Sequence, residues 1–133
     1  MNDTEQVAYD NSAKLSVAVG PLTAPTVCRV ISMIAARAGC PIDRLDDAML
    51  ICDAITAHAS EHVLDGRLSM SVWTDADVLV LRVDPLAPGG ARGIIAQEEV
   101  PGVGNVLERV ASELRVLPSD DGRSEALEIE LRF

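Results

Sequence analysis

The stretch Asp53-Ala-Ile-Thr-Ala-His58-Ala-Ser-Glu61-His62 gathers the densest set of chemistry-bearing side chains in the sequence. Its right-hand half fits an HxxEH pattern. Two histidines one helical turn apart can share a zinc ion while the glutamate between them activates the metal-bound water. Its left-hand half opens on a carboxylate whose helix face could hold a metal-nucleotide complex. On a wheel turning about 100° per residue from Asp53, the apolar stripe of this segment spans about 200° to 320°. His58 and His62 fall at about 140° and 180°, at its margin, and Glu61 at about 80° on the polar face. Zinc also needs a third ligand, and the sequence has no further histidine; only Glu128 or Glu130 can be nominated, so no metal-ligating set is expected.

Asp46, Asp53, Ala57, Ser60 and Glu61 share the polar face of the same helix. They read either as a solvated surface or as one wall of an anion site. The second reading draws on Pro101-Gly102-Val-Gly104-Asn105, where glycines opening a helix would present backbone N–H groups and the positive end of the dipole.

The elements that must position these residues follow from periodicity. Lys14 to Val19 alternates as a strand and stops at Gly20-Pro21. Thr23 is placed to cap a first helix that carries Val27, Val30, Ile31, Ile34 and Ala38 and ends at Gly39. A second helix runs from about Asp43 to Val63, with Leu45, Met49, Cys52, Ile55, Ala59 and Val63 as its stripe. Leu68 to Trp73 and Val78 to Val83 alternate on either side of an Asp75-Ala-Asp77 turn, predicting a hairpin. Residues 85–102, with three prolines, several glycines and little periodicity, read as a long loop. A third helix is expected over Val103 to Leu114, then strands near Arg115 to Leu117 and from Ser124 to Phe133. The result is an α+β domain, a two-layer α/β sandwich. A mostly antiparallel mixed sheet of about five strands carries three helices on one face. Residues 1–12 read as a flexible tail and 13–133 as one domain.

Composition narrows the function. The 133 residues have a formal charge of −10, which repels nucleic acid and anionic lipid. Asp3 and Glu5 stand where a secretory leader would be basic, and no apolar run approaches 18 residues. A cytoplasmic protein with no membrane partner is expected. Cys28, Cys40 and Cys52, an odd number without a CxxC pair, read as reduced thiols. Tyr9, Trp73 and Phe133 are the only aromatics, so the core must be aliphatic.

Taken together these pieces resemble the small anti-sigma-factor serine kinases of the GHKL (histidine-kinase-like ATPase, Bergerat fold) superfamily over roughly residues 14 to 133. The matching segments are Pro21-Leu-Thr-Ala-Pro25, Ile42-Asp-Arg-Leu-Asp-Asp47, the Asp53…Ala57 pair, Asp84, Gly102-Val-Gly104-Asn-Val-Leu107 and the strand that ends at Phe133. The resemblance implies a Bergerat-type sheet and ATP with Mg²⁺ as cofactors. It implies a sigma factor, a STAS-type anti-anti-sigma protein or a second copy as partner. It also assigns a nucleotide site to Asp53, Ala57, Asp84, Gly102, Gly104 and Asn105, with Asp53 at the position of the catalytic base. The departures matter more. The family's E-x-x-x-N motif reads Asp53 and Ala57 here. A methyl group offers a metal no lone pair, which leaves the metal to another group such as Asp46 or Ser60. In the D-x-G-x-G motif Asp84 is kept, but Leu86 and Pro88 replace the glycines, with Gly89-Gly90 just beyond. Phosphoryl transfer depends on positioning around the metal-phosphate complex. The reading is therefore a regulatory protein-binding module with weak or lost ATP binding. An active serine-protein kinase is the alternative, and an HxxEH zinc hydrolase the remote one.

Overall fold

A computed structural model describes residues 11–133, so most of the expected tail lies outside the described residues. Described structure nevertheless starts before residue 13. Strand β1 is Ser12–Ala18, and Asn11 Nδ2 donates to Ile34 O and to Thr74 Oγ1 at 2.7 and 2.9 Å.

Helices α1 (Thr23–Arg37) and α2 (Ile42–His62) follow, then the hairpin β2 (Arg67–Asp75) and β3 (Val78–Leu86). A short helix α3 (Gly90–Gln97) leads to the two-residue strands β4 (Glu99–Val100) and β5 (Gly104–Asn105). Helix α4 (Val106–Val110) and strands β6 (Glu113–Pro118) and β7 (Glu125–Arg132) complete the chain. The main sheet has the order β1-β2-β3-β7-β6, and every pairing in it is antiparallel. The α+β sandwich expected from alternation is therefore what forms, with an antiparallel rather than a mixed sheet.

One sheet face is buried. Leu68, Met70 and Val72 of β2, Leu79, Leu81 and Val83 of β3, and Leu127, Ile129 and Leu131 of β7 meet Val27, Ile31 and Ile34 of α1. Ile51, Cys52, Ile55 and Ala59 of α2 close the same layer. Among the described residues no aromatic side chain is fully buried there; aliphatic side chains supply most of the burial, with Met70 and Cys52 beside them.

Four sequence expectations are corrected. The supposed loop 85–102 contains α3 and β4, and β3 runs on to Leu86. The helix expected over Val103 to Leu114 is only the five residues of α4, because Glu113 onward pairs with β7 as an edge strand. Thr23 lies inside α1 and does not cap it: its buried hydroxyl accepts from Gly20 N and donates to Ala18 O, fastening the β1–α1 turn. The thiols are not all reduced either. Cys28 and Cys52 form a disulfide where α1 and α2 pack, with Cα atoms 5.7 Å apart, and Cys40 alone is free. Burial raises the Cys40 thiol pKa above its ordinary value. Among the described residues no helix is long and apolar enough to cross a membrane.

The pairing makes a direct prediction. Alkylation of the denatured, unreduced protein labels one thiol per chain, Cys40, and three after reduction, as read by intact mass. Cys28→Ser removes a cross-link spanning 24 residues and lowers unfolding stability by on the order of 3 kcal/mol, measured by urea denaturation. Three labels without reduction would contradict the pairing.

Candidate functional site

The rotation of α2 decides what its polar residues can do. With Ala48, Ile51, Cys52, Ile55 and Ala59 committed to the core, Asp46, Leu50, Asp53, Ala57 and Glu61 form an exposed ridge along the outside of the helix. Asp53 and Ala57 are one turn apart on it, as the wheel requires.

The histidines lie between ridge and core and are held by α3. His58 Nε2 is 2.9 Å from Glu98 Oε2, with both side chains about four-fifths buried. His62 Nε2 is 2.9 Å from Gln97 Oε1, and Gln97 Nε2 donates in turn to Glu61 Oε1 at 2.9 Å. The two rings thus use their Nε2 atoms on different partners. Among the described residues no group of three or more His, Cys, Asp or Glu side chains is placed to hold a metal ion. The HxxEH spacing serves here as a clasp between two helices.

Glycine makes the clasp fit. A Cβ on Gly93 would lie 2.5 Å from His62 Cε1, and one on Gly90 would lie 3.0 Å from His62 Cβ. The His62 ring therefore rests on a side-chain-free surface of α3. The start of α3 is also closed. Glu125, reaching across from β7, accepts from Gly89 N at 3.0 Å and from Ala91 N at 2.8 Å. A carboxylate of the chain itself thus occupies the anion-favouring end of this helix.

The remaining predicted residues are placed as follows. Gly102 and Gly104 have positive φ in the β4–β5 turn, at +79° and +106°, which favours glycine. Asn105 is buried at the start of α4. Its Oδ1 accepts from Glu108 N, and its Nδ2 donates to Ile95 O at the end of α3. The Gly102-Val-Gly104-Asn105 segment is therefore a capped junction between α3 and α4. Asp84 is exposed at the end of β3. It follows the core-facing Val83, so alternation points it away from α2. The structure groups Asp53 with Ala57 on α2, and Gly102 with Gly104 and Asn105 in the junction, with Asp84 directed to the far face of the sheet.

Sequence reasoning missed Glu98, Gln97 and Glu125, which hold this region together. A GxxG spacing at Gly90 and Gly93, beside an i, i+4 histidine pair, was the available signal for a close helix contact.

A scan against protein-family models finds no match, and neither does a search of curated proteins. Among solved structures, a chain of the crystal structure of the SiaB-SiaC complex from Pseudomonas aeruginosa is similar, with a TM-score of 0.60 at 9% identity. The match covers 98% of this chain and 94% of that one. At that identity the likeness is one of fold.

Gly93→Ala is predicted to destabilise the protein by roughly 1–3 kcal/mol through overpacking against His62. In a double-mutant cycle, His62→Ala relieves most of that loss. Additive losses in urea melts would mean that the two residues do not share a contact.

Proposed function

We propose that this chain is a regulatory protein-binding module of the anti-sigma-factor type on a GHKL-like fold, with weak or lost ATP binding and kinase activity. The observation that carries this reading is the occupied anion end of α3: Glu125 takes the backbone donors of Gly89 and Ala91 that a phosphate would use. Asn105 likewise takes the free Glu108 N–H at α4. Ala57 adds no ligand for Mg²⁺. The residues present do not fit the metal-nucleotide complex, and no phosphoryl-transfer step is derived for them.

The partnership with another protein is supported by the similar fold having been solved within a complex of two proteins. The exposed ridge Asp46–Leu50–Asp53–Ala57 is the part of α2 free to meet one. It joins two carboxylates to an apolar side chain that is 47% exposed, a combination suited to a partner surface that is basic around an apolar pocket. A sigma factor or a STAS-type anti-anti-sigma protein is the partner this reading assigns, and the cytoplasm its place of action. Cytoplasmic thiol pools keep most cysteines reduced. Of the disulfide's two residues, Cys52 has no exposed surface, whereas Cys28 is only partly buried.

Calorimetry with Mg-ATP is expected to give no heat of binding, or only millimolar affinity. Micromolar affinity would overturn the loss of nucleotide binding and favour the kinase reading, with Asp53 as base and Asp46 or Ser60 on the metal. Capture from a bacterial lysate, with the retained protein identified by mass spectrometry, tests the partner. A sigma factor or STAS-type protein bound by wild type is expected to be lost at least about tenfold with Asp53→Lys. Retention of that protein by Asp53→Lys would move the interface off the ridge.

A further inference from the structure

Two Asp-Gly pairs occur in the chain, Asp65-Gly66 and Asp121-Gly122, and each is followed by an arginine, Arg67 or Arg123. All four residues are exposed. Asp-Gly is the pair at which a peptide backbone rearranges most readily without a catalyst. The glycine nitrogen can close a five-membered ring on the aspartate Cγ, and no glycine side chain shields it. With the same flanking chemistry at both pairs, any difference in reactivity comes from the fold.

At Asp121 both reacting groups are engaged. Its Oδ1 accepts from Ser119 Oγ at 2.8 Å and from Arg123 N at 3.0 Å, and Gly122 N donates to Ser119 O at 3.1 Å. The Arg123 N–H and then the Ser119 hydroxyl hold the Asp121 pKa below its ordinary value, so the carboxyl resists the proton that loss of water requires. At Asp65 neither group is engaged: among the described residues its carboxylate has no hydrogen bond or ion pair, and Gly66 N has no acceptor. A Cβ at either glycine would meet nothing within 4 Å, so hydrogen bonding, and not space, separates the two pairs. The Asp65 turn is also held in an uncommon conformation. Arg67 N donates to Leu64 O at 3.3 Å, and Asp65 and Gly66 have φ of 57° and 66°, the sign pattern of a type I′ turn. Left-handed backbone is uncommon for a residue with a side chain.

We propose that Asp65 is a site of spontaneous backbone isomerisation in the folded protein, and that Asp121 is protected from it. Gly66 N attacks Asp65 Cγ. The N–Cγ bond forms as a carboxyl oxygen leaves as water, taking the amide proton and the carboxyl proton with it. Water then opens the resulting succinimide. Addition at the former side-chain carbonyl restores aspartate. Addition at the former main-chain carbonyl breaks the bond from that carbon to Gly66 N and leaves isoaspartate, with the chain running through Cβ and Cγ and the α-carboxylate pendant. Nothing is oxidised or reduced, and the mass is unchanged. The product has one more methylene in the main chain inside the turn, so the bond from Arg67 N to Leu64 O cannot be kept in its type I′ form. Gly66 O is displaced with it. That oxygen accepts from Val19 N at 2.9 Å and ties the end of β1 to the α2–β2 connection, so isomerisation loosens the end of β1. The site lies off the α2 ridge and is independent of the functional reading above.

Ageing the full chain in mildly acidic buffer at physiological temperature tests it. Trypsin separates the two pairs into peptides 45–67 and 116–123. Isoaspartate in each is counted by methyl transfer from S-adenosylmethionine with an isoaspartate-specific carboxyl methyltransferase and located by fragmentation mass spectrometry. In the native protein it is expected to accumulate in 45–67 at least about ten times faster than in 116–123. In urea, where the bonds at Asp121 are gone, the two rates should come within about twofold of each other. Ser119→Ala removes one of those bonds and should raise conversion in 116–123 at least about threefold. The isomerised species, separated by ion exchange, should exchange its Val19 amide hydrogen at least about fivefold faster than fresh protein. Native protein that gains no isoaspartate at Asp65, or gains it equally at both pairs, overturns the proposal. So does a contrast that persists in urea, or a Ser119→Ala chain whose Asp121 converts no faster; if that variant fails to fold, the native and urea rates of the wild type decide. An isomerised species whose Val19 exchanges at the original rate overturns the loosening of β1.

Discussion

Burial of the sheet on one face only is the constraint from which the rest of the molecule follows. A strand turns alternate residues to opposite sides, so Leu79, Leu81 and Val83 cannot enter the core without sending Val80, Arg82 and Asp84 to the other face. The same core fixes the rotation of α2. Once Ile51, Cys52, Ile55 and Ala59 are buried, Asp53 and Ala57 must look outward. His58 and His62 must then face whatever packs along the helix flank. That neighbour is α3, and its glycines determine how near it can come. One hydrophobic layer thereby sets three surfaces: the α2 ridge, the α2–α3 clasp and the open sheet.

The clasp shows how the side chains and backbone donors of a metal-like and a nucleotide-like motif are used within the chain itself. Chemistry at an HxxEH motif requires two rings converging on one point. Here Glu98 draws His58 and Gln97 draws His62 to separate points on α3. A glycine-rich helix start binds phosphate only while its N–H groups are unclaimed. Glu125 claims those of Gly89 and Ala91 in a charge-assisted arrangement, the stronger class of hydrogen bond. In both cases intramolecular partners are already in place at no cost in association entropy, and an external ligand would have to displace them.

How much of this was legible in the sequence depended on how local the cause was. The alternation of Leu127, Ile129 and Leu131 against Glu128, Glu130 and Arg132 marked β7 directly, and the stripe of α2 placed that helix to within a residue at each end. Helix α3 was hidden because glycine, proline and a short span argue against a helix. What makes Gly90–Gln97 helical is tertiary: a carboxylate from β7 at its start and the His62 ring against its glycines. The end of α4 was hidden for a related reason, since Leu114 fits a helical stripe and an edge strand equally well until β7 is present to pair with it. The disulfide left no trace either, because Cys28 and Cys52 meet through the packing of two helices 24 residues apart in sequence. Of the candidate site, Asp53, Ala57 and the histidines could be seen; their partners on α3 and β7 could not.

The distribution of charge follows from the same one-sided burial. An open sheet face is a hazard, since exposed strands invite indiscriminate association. Here it is covered by paired ions, with Glu128 held between Arg82 and Arg115 and itself only 8% exposed. Exposed ion pairs stabilise a monomer little. Their effect lies in selectivity, because unmatched charge brought against a completed network must be desolvated without compensation. The helix side is the opposite case. It carries a share of the net negative charge, with Asp46 and Asp53 of α2 exposed to solvent, so its field extends outward and speeds encounter with a basic surface. The ion-paired sheet face and the acidic α2 ridge are thus chemically different surfaces, held on opposite sides of one aliphatic core.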